Sequence, residues 1–319
     1  MYRDKSIGVI VPAYNEEQLI RKTLTTMPDF VDRVFVVDDG SEDRTAELIK
    51  AHMVQDSRVS LIEHEANQGL GQSLIDGYVA SRDADMDVTA VMAGDAQMDP
   101  TDLAAVVEPV AEGWADYVKG NRLLRDDVVS RMPRHRYLGN AVLTLLNKFA
   151  TGYWSIIDPQ CGYTAIGREA LEAIPIETLT KGYGYNAHIL NMLNLNNFSV
   201  CDVEVRPVYG EERSGIRLST YIPRVVRLLL RLFLRRMVHK YLVRDFNPLV
   251  FFYLFCFANF ALVGTPLFCY FIYAFFVEGR DPSTVPVILT YSLSMGFLSF
   301  FFAMWMDMED NKRLVARKG

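Results

Sequence analysis

Acidic and polar side chains follow three strand-like segments in the first hundred residues, at the point where each segment ends. The three motifs read VPAYNE from Val11, VDDGS from Val37 and AGDAQMDP from Ala93. In a parallel sheet, ligands bind beyond the carboxyl ends of the strands, so these side chains are expected to meet at one edge. Hard divalent cations take oxygen ligands and bridge phosphates, and carboxylates accept hydrogen bonds from base and ribose. The pattern therefore predicts a site for a cation and a nucleotide.

Short apolar strands alternate with helical patterns through this part of the chain. The predicted strands are Ser6–Val11, Arg33–Val37, Val59–Ile62 and Val88–Met92. The predicted helical stretches cover residues 16–27, 43–54 and 71–81. Alternation of this kind is typical of an α/β domain with a mainly parallel sheet. We therefore expect one sheet edge to carry all three motifs.

The composition narrows the class of protein. The chain has 319 residues and a net charge of −6, which argues against a general nucleic-acid binder. Its four cysteines form no C-x-x-C pair and no cluster at zinc spacing, so neither a zinc site nor a disulfide framework is expected. No signal peptide precedes the first strand, so the first domain should stay in the cytoplasm. A mean hydropathy of +0.08 indicates that apolar residues are concentrated elsewhere.

Those apolar residues lie near the C-terminus. Leu249–Val277 is a run of 29 uncharged residues, and Pro286–Met306 is a second run of 21. Each exceeds the roughly 20 residues that cross a bilayer as a helix. We predict two membrane spans, at about 249–277 and 286–306, in preference to a pair of buried core helices.

A basic segment precedes the first span. Residues 221–244 carry seven positive charges and no acid. The spacing of Arg224, Arg227, Arg231 and Arg235 puts these four side chains on one helical face. The pattern predicts an amphipathic helix at an anionic membrane surface, with a solvated charged helix as the alternative.

Positive charges near the span ends predict the orientation. Lys312 and Arg313 follow the second span, whereas only Arg280 lies between the two spans. Both ends of the hairpin should therefore be cytoplasmic. The predicted organisation is a catalytic domain at 1–218, an interface helix at 219–246, and a transmembrane hairpin with a cytoplasmic tail at 247–319.

The order and spacing of the three motifs resemble those of the family-2 glycosyltransferases, over roughly residues 6–217. These enzymes have the GT-A fold, a Rossmann-like α/β domain. The chain is most similar to the dolichol- and polyprenyl-phosphate sugar synthases. The resemblance implies a metal-dependent, inverting transfer of sugar from a UDP- or GDP-linked donor to a polyprenyl or dolichyl phosphate at the cytoplasmic membrane face.

The resemblance also assigns roles to residues. Asp95 and Arg122 would be catalytic, and Asp95 and Gln97 would hold Mg²⁺ or Mn²⁺. The planar guanidinium of Arg122 suits two phosphate oxygens, with an ordinary surface arginine as the alternative. The residues implied in nucleotide-sugar binding are Pro12, Tyr14, Glu16, Val37, Asp39, Gly94, Asp95, Ala96, Gln97, Arg122, Arg213 and Arg217.

The metal motif departs from the family pattern. Ala93 stands where the family usually has its first aspartate, so metal binding falls on Asp95 and Gln97. One carboxylate with substrate phosphates can still hold Mg²⁺, which keeps several waters. Asp99 is either a further ligand or the cap of a helix that begins at Pro100.

The acceptor side is expected in the second half of the domain. Arg134 and Arg136, in a basic group with Arg131 and His135, would attract a lipid phosphate or bilayer head groups. Asp158 resembles a residue that shapes the acceptor side, and a turn cap is its alternative role.

The expected base position is also unusual. Asn186 stands where many relatives that glycosylate hydroxyl groups have an aspartate, and His188 stands where a glutamate is common. A hydroxyl acceptor needs a base, whereas a phosphate monoester is already anionic at neutral pH. The missing acid favours a lipid-phosphate acceptor. A structural role for His188 is preferred to a role as base.

The sequence thus predicts a membrane enzyme whose partners are a nucleotide-sugar donor, a polyprenyl or dolichyl phosphate and the lipid bilayer, without nucleic acid. Assembly into a homo-oligomer through the spans is left open. One alternative is a glycosyltransferase that acts on a lipid hydroxyl. The other is a catalytically degenerate membrane scaffold, suggested by Ala93, that binds neither nucleotide nor metal.

Overall fold

The computed structural model describes residues 1–123, 134–182, 184–206 and 218–316, and for residues 134–138, 140 and 218–221 it describes the backbone alone. The chain forms two compact units. The first comprises Met1–Phe233 and Arg313–Gly319, and the second comprises Leu234–Lys312. The predicted interface helix, 219–246, is therefore divided between the two units.

A seven-stranded sheet organises the first unit. Its strands are β1 Ile7–Ala13, β2 Arg33–Asp38, β3 Val59–Glu63, β4 Val88–Val91, β5 Tyr117–Asn121, β6 Thr164–Gly167 and β7 Val200–Glu204. Their order in the sheet is β3-β2-β1-β4-β6-β5-β7. The pairs β1–β2, β1–β4, β2–β3 and β5–β7 are parallel, and β6 is antiparallel to both of its neighbours. The predicted α/β class with a mainly parallel sheet is confirmed.

Eleven α-helices are described. They are α1 Ile20–Thr25, α2 Thr45–Met53, α3 Leu70–Asp83, α4 Leu103–Ala111, α5 Arg134–Thr151, α6 Arg168–Ala173, α7 Tyr185–Leu195, α8 Leu218–Val238, α9 Leu249–Asn259, α10 Thr265–Phe276 and α11 Val285–Asn311. Short 3₁₀ turns occur at Pro100–Asp102, Ile176–Thr178 and Lys312–Leu314, and π-helical segments at His239–Arg244 and Phe260–Gly264.

Helices cover both faces of the sheet, which explains why β1 is buried along its whole length. Ile7, Val9 and Val11 of β1 pack with residues of α1, α2 and α4 on one face. Ile10 points to the other face and packs with residues of α3, α6 and α7. The continuous apolar strand is thus the signature of a central parallel strand.

The end of the described chain belongs to the first unit. Val315 forms a parallel bridge with Val200 of β7, and the N–H of Ala316 donates to the Val200 carbonyl at 3.1 Å. Leu314 is buried in the core of this unit. The chain therefore leaves the first unit before the apolar helices and rejoins it after them.

The second unit contains two apolar helical stretches. Leu249–Phe276 and Val285–Leu314 are 28 and 30 residues long, which is enough to cross a membrane. They pair through a polar contact, because Asn259 Nδ2 donates to the Ser292 carbonyl at 2.7 Å and Ser292 Oγ donates to Asn259 Oδ1 at 3.0 Å. Gly296 lets the ring of Phe260 approach closely.

A buried charged cluster lies at one end of this unit. The Arg236 guanidinium donates to both carboxylate oxygens of Asp307, at 2.6 and 2.8 Å. Lys240 Nζ donates to Asn311 Oδ1 at 2.8 Å, and Tyr241 donates to Asp307 at 2.7 Å. These bonds satisfy charges that would otherwise be costly to bury.

Helix α8 has a buried apolar face, an exposed apolar row and an exposed basic face. Val225, Leu229 and Leu232 pack against Ala150 and Ala187. A second apolar row remains exposed, at Ile222, Val226 and Leu230, which are 53%, 44% and 57% exposed. Beside this row, the arginines at positions 224, 227 and 231 are also exposed.

Gly71 makes the tightest packing contact at the start of α3. A Cβ atom at this position would lie 2.2 Å from the carbonyl oxygen of Thr180 and 2.6 Å from that of Lys181. We expect Gly71→Ala to lower the stability of the full chain by about 1–3 kcal/mol, because backbone atoms must move. Thermal unfolding in detergent would measure the effect. Gly182→Ala is the control, since nothing lies within 4 Å of its Cβ position, and equal melting temperatures for all three proteins would contradict the expectation.

Candidate active site

A cleft of about 340 Å³ lies where β1, β2 and β3 end. Tyr14 follows β1, Asp38 ends β2 and His64 follows β3, and all three line the cleft. The neighbouring polar side chains of the lining are Ser41, Glu42, Glu63, Glu65 and Asn67. Carboxylates accept hydrogen bonds, so the cleft suits a ligand that presents hydroxyl and N–H groups.

The loop after β1 is held by the loop after β2. Asn15 has a positive φ of 55°, which asparagine tolerates better than most residues. Its Oδ1 accepts a hydrogen bond from the N–H of Glu42, and its own N–H donates to Ser41 Oγ, both at 2.9 Å. Tyr14 is left 42% exposed beside the cleft.

Three other residues predicted to bind the nucleotide sugar lie in or just after these strands. Pro12 and Val37 are buried within β1 and β2, and the side chain of Val37 lies in the hydrophobic core. Glu16 is half-buried, and its N–H donates to Thr45 Oγ1 at 2.8 Å. Any ligand contact from Val37 must therefore come from its backbone.

The two aspartates after Val37 have different environments. Asp39 turns inward, where its carboxylate accepts hydrogen bonds from the backbone N–H groups of residues 68 and 69, both at 2.8 Å, and lies 2.7 Å from His64 Nδ1. Asp38 lines the cleft, and its Oδ1 accepts a hydrogen bond from Ser41. The sequence points to Asp39 for the nucleotide contact, whereas the structure places Asp38 in the cleft wall.

The acidic turn after β4 presents Asp95. Its Oδ1 accepts a hydrogen bond from the N–H of Gln97 at 3.0 Å, and Ala96 between them has a positive φ of 53°. Burial raises the pKa of Asp95. Gly94 packs against β1, since a Cβ at this position would lie 3.1 Å from the Pro12 carbonyl oxygen. The turn therefore has a defined conformation close to the end of β1.

The turn offers few protein ligands to a metal ion. In the described part of the chain, no three His, Cys, Asp or Glu side chains are grouped so as to hold one. Asp99 caps the 3₁₀ turn at Pro100–Asp102, because its Oδ1 accepts hydrogen bonds from the N–H and hydroxyl of Thr101, at 2.9 and 2.6 Å. The remaining carboxylate, Asp95, fits a Mg²⁺ or Mn²⁺ ion that takes its other ligands from phosphates and water.

Arg122 and Asp158, predicted for the donor and acceptor sides, form one ion pair. Arg122 Nε donates to Asp158 Oδ2 at 2.8 Å, and Nη2 donates to Oδ1 at 3.1 Å. The Asp158 side chain is 5% exposed and that of Arg122 is 41% exposed. The buried carboxylate thus orients a guanidinium that is still accessible from outside.

A buried lysine lies close to this pair. Lys119 is fully buried, and its Nζ donates to the Cys161 carbonyl and to Asn186 Oδ1. Burial lowers the pKa of Lys119 to about 8, against the opposing effect of the charges of Asp158 and Asp202. Burial also raises the pKa of Asp202 to about 6. The cluster thus contains two basic side chains, Lys119 and Arg122, and two acidic side chains, Asp158 and Asp202.

Neither residue at the expected base position is placed as a base. The Asn186 oxygen accepts from Lys119, and its Nδ2 donates to the Gln160 carbonyl at 3.4 Å. His188 is buried, and its Nδ1 accepts a hydrogen bond from the N–H of Thr180 at 3.2 Å. The preferred structural role of His188 agrees with this geometry.

The structure describes no side-chain contacts for four of the arginines that were predicted to bind phosphate. Arg213 and Arg217 lie outside the described residues. Arg134 and Arg136 lie in the first turn of α5, and their side chains are outside the described part. Their phosphate contacts stay predictions.

The family model for Glycosyl transferase family 2 matches residues 8–174, which is more than half of the chain. The chain belongs to this family. The match runs from β1 into the segment after α6, and so includes the cleft, the acidic turn and Arg122. This protein is therefore a glycosyltransferase, as the resemblance predicted.

Two relatives of this glycosyltransferase are named for transfer to a polyprenyl-type phosphate. It is 28% identical over 221 residues to a UDP-N-acetylglucosamine–dolichyl-phosphate N-acetylglucosaminyltransferase of Methanococcus voltae, covering 65% of this chain and 88% of the relative. It is 29% identical over 179 residues to an undecaprenyl-phosphate mannosyltransferase of Micrococcus luteus, covering 55% and 72%. The resemblance to the polyprenyl-phosphate enzymes is thereby confirmed.

A solved structure shows the same fold. Glucosyl-3-phosphoglycerate synthase from Mycobacterium tuberculosis, in complex with UDP, superposes with a TM-score of 0.55 at 20% identity, covering 73% of this chain and 80% of that enzyme. The sheet of this glycosyltransferase thus has the GT-A fold. At this identity, the likeness concerns the fold alone.

Some site residues lie outside the sequence prediction. Glu63 ends β3 and His64 follows it, and the strand-end rule that singled out the other three strands applies equally to them. Lys119 is the one charged residue in a five-residue strand that is buried throughout. Both signals are readable in the sequence once the strands are known.

Lys119 should contribute to the pH dependence of stability. Burial lowers its folded-state pKa from 10.5 to about 8, so between these values the unfolded chain binds more protons, and stability should rise with pH. Lys119→Met removes this contribution, at most about 1.4 kcal/mol per pH unit. Urea unfolding of the full chain from pH 8 to 10.5 measures the slope. Lys22→Met, at an exposed site, should keep the wild-type slope, and three equal slopes would refute the assignment.

Proposed function

We propose that this glycosyltransferase moves a sugar from a UDP-linked donor to a polyprenyl or dolichyl phosphate, with inversion at the anomeric carbon. The product is a polyprenyl-phosphate monosaccharide on the cytoplasmic leaflet. The observation that carries the proposal is the neutral amide of Asn186, bound by Lys119 at the position where a hydroxyl acceptor would need a base. The names of the Methanococcus and Micrococcus relatives support the same class of acceptor.

A phosphate acceptor fits the described groups around Asn186. Asp158 is held by Arg122, and Asp202 Oδ2 accepts hydrogen bonds from Asn121 Nδ2 and from the N–H of Ile157, both at 2.9 Å. A phosphate monoester needs no base because it is already anionic. Its oxygen attacks the anomeric carbon, the bond from that carbon to the diphosphate oxygen breaks, and UDP leaves with the electron pair.

The choice of uridine rests on Asp38. Its Oδ1 already accepts a hydrogen bond from Ser41, so Oδ2 is the oxygen better able to accept a hydrogen bond from a ligand in the cleft. Uracil presents a single N–H between two carbonyl groups, whereas guanine presents adjacent N–H and NH₂ donors that would use both carboxylate oxygens. One available oxygen matches uracil better. The Methanococcus relative is named for a UDP-linked donor.

We assign the metal to Asp95 and Gln97. Mg²⁺ or Mn²⁺ bound there would neutralise charge on the leaving diphosphate, and the Mycobacterium enzyme has been crystallised with Mn²⁺ and UDP. Arg122, oriented by Asp158, would donate to the same phosphate oxygens. Four arginines complete the proposed phosphate contacts, Arg213 and Arg217 toward the donor and Arg134 and Arg136 toward the acceptor.

The apolar helices supply the membrane anchor in this proposal. Only 22% and 17% of their apolar stretches are buried, so most of their side chains can contact lipid. The chain leaves the first unit, which carries the candidate active site and is called the catalytic unit below, before these helices. After them, it pairs with β7 of the same unit. A hairpin with two spans satisfies this connectivity with both ends on the cytoplasmic side, in agreement with the positive charges at 312 and 313.

Helix α8 suits the membrane surface. Its exposed apolar row, Ile222, Val226 and Leu230, lies beside exposed arginines. A solvated charged helix needs no such row, whereas a helix at an anionic bilayer buries it among the acyl chains and pairs the arginines with head groups.

The purified full chain should form a lipid-linked sugar from a UDP-sugar and polyprenyl phosphate when Mg²⁺ or Mn²⁺ is present. Mass spectrometry would detect the product across a panel of UDP- and GDP-sugars. Asp95→Ala should abolish the reaction, because the carboxylate assigned to the metal is lost. Transfer from GDP-sugars alone would overturn the role of Asp38. Transfer only to a lipid alcohol would overturn the acceptor, and no nucleotide binding at all would favour the scaffold alternative.

Asn186→Asp should lower kcat/KM for polyprenyl phosphate by about tenfold, because the new carboxylate would neutralise Lys119 and repel the acceptor. Initial rates at varied acceptor concentration measure this change. Asn196→Asp, at the other end of α7, is the matched control and should remain near wild type. An unchanged kcat/KM for Asn186→Asp would show that this residue does not face the acceptor phosphate.

A further inference from the structure

One wall of the cleft follows a strand at the edge of the sheet. Residues 63–67, which begin at the last residue of β3, belong to the cleft lining, and among the described strands β3 pairs with β2 alone. A segment after an edge strand has a neighbouring strand on one side only and depends on other contacts for its position. The backbone N–H of His64 donates to the Asp38 carbonyl at 2.9 Å, and its side chain, 6% exposed, points into the protein.

The imidazole of His64 lies between two carboxylates. Nδ1 is 2.7 Å from Asp39 Oδ1, and Nε2 is 2.9 Å from Asp76 Oδ2. The ring therefore bridges the two carboxylates through its two nitrogens. Asp39 follows β2 and Asp76 lies in α3. His64 therefore connects the cleft wall to two other elements.

Asp39 extends this bridge along the wall. Its carboxylate also accepts the backbone N–H groups of residues 68 and 69, at 2.8 Å. Gly40, with a φ of 72°, passes so close that a Cβ would lie 2.6 Å from the carbonyl carbon of Ala66. The segment 64–69 thus wraps around Asp39, and His64 joins this wrapped carboxylate to Asp76 of α3.

We propose that His64 is a positioning residue for the nucleotide, which holds the 63–67 wall in place by bridging Asp39 and Asp76. The inference rests on the proposed function, since the ligand of the cleft is taken to be a nucleotide. The bond that breaks in sugar transfer joins the anomeric carbon to the diphosphate oxygen, whereas the His64 bridge positions the cleft wall beside the nucleoside. Loss of His64 should therefore weaken donor binding and leave the turnover of bound donor unchanged.

Calorimetry of UDP binding to the full chain in detergent tests this assignment. His64→Ala should raise the Kd for UDP by about tenfold or more, because two charge-assisted hydrogen bonds are lost. In the product assay, the KM for the donor should rise in parallel, with kcat within about twofold of wild type. His52→Gln, a histidine change in α2 outside the cleft lining, should leave both constants unchanged.

Two conservative variants test the bridge itself. An asparagine side chain can donate from near the Nδ1 position toward Asp39, and a glutamine can donate from near the Nε2 position toward Asp76. His64→Asn and His64→Gln should each keep one of the two bonds and show a Kd between those of the wild type and His64→Ala. If His64→Ala does not fold, these two variants still test whether the bridge strengthens UDP binding.

Hydrogen exchange without nucleotide gives a readout that does not depend on the proposed function. The backbone N–H groups of residues 68 and 69 donate to Asp39 and should exchange faster in the His64 variants than in wild type. If wild type binds no UDP, the proposed function fails while exchange still tests the bridge. If UDP binds wild type and all variants equally, or if kcat falls at constant Kd, the positioning role is overturned and the proposed function stands.

Discussion

Parallel pairing around β1 is the constraint on which the site depends. β2 and β4 flank β1 in the same direction, so the cleft and the acidic turn open at one edge. β6 then runs antiparallel to β4 and to β5. These two reversals bring the carboxyl end of β5, with Arg122, and the chain entering β6, with Asp158, to the edge that carries Asp95. Donor-side and acceptor-side residues meet because strand directions require it.

Hydrogen-bond networks between acidic and basic side chains hold several of the polar residues at this edge. His64 lies between Asp39 and Asp76 beside the cleft, and Asp158 orients Arg122 near the buried Lys119. Groups fixed in this way need not reorganise when charge develops on a leaving diphosphate. Burying such polar groups is costly unless they are hydrogen-bonded, and each network supplies hydrogen bonds to its members.

In the proposed function, the connectivity of the chain links this site to a membrane. The segment after the apolar helices returns to β7, with Leu314 in the core of the catalytic unit. Under that proposal, a hairpin that leaves and rejoins the same unit would anchor the enzyme at both ends of its apolar segment. The exposed apolar row and arginines of α8 would extend that anchor along the membrane surface. In the proposed reaction, both features keep the catalytic unit at the height of a lipid phosphate.

The sequence by itself determined the features that arise from local pattern. Alternating apolar strands and helices predicted the α/β class, charge-free runs predicted the two apolar helices, and motifs at strand ends identified Asp95 and Tyr14. Only the tertiary structure decided which aspartate of the pair 38 and 39 faces the cleft. It alone joined Arg122 to Asp158 and Lys119 to Asn186, pairs that are 36 and 67 residues apart in the chain. Two adjacent aspartates cannot be told apart from the sequence, because the role of each depends on which distant hydrogen-bond donors the fold brings to it.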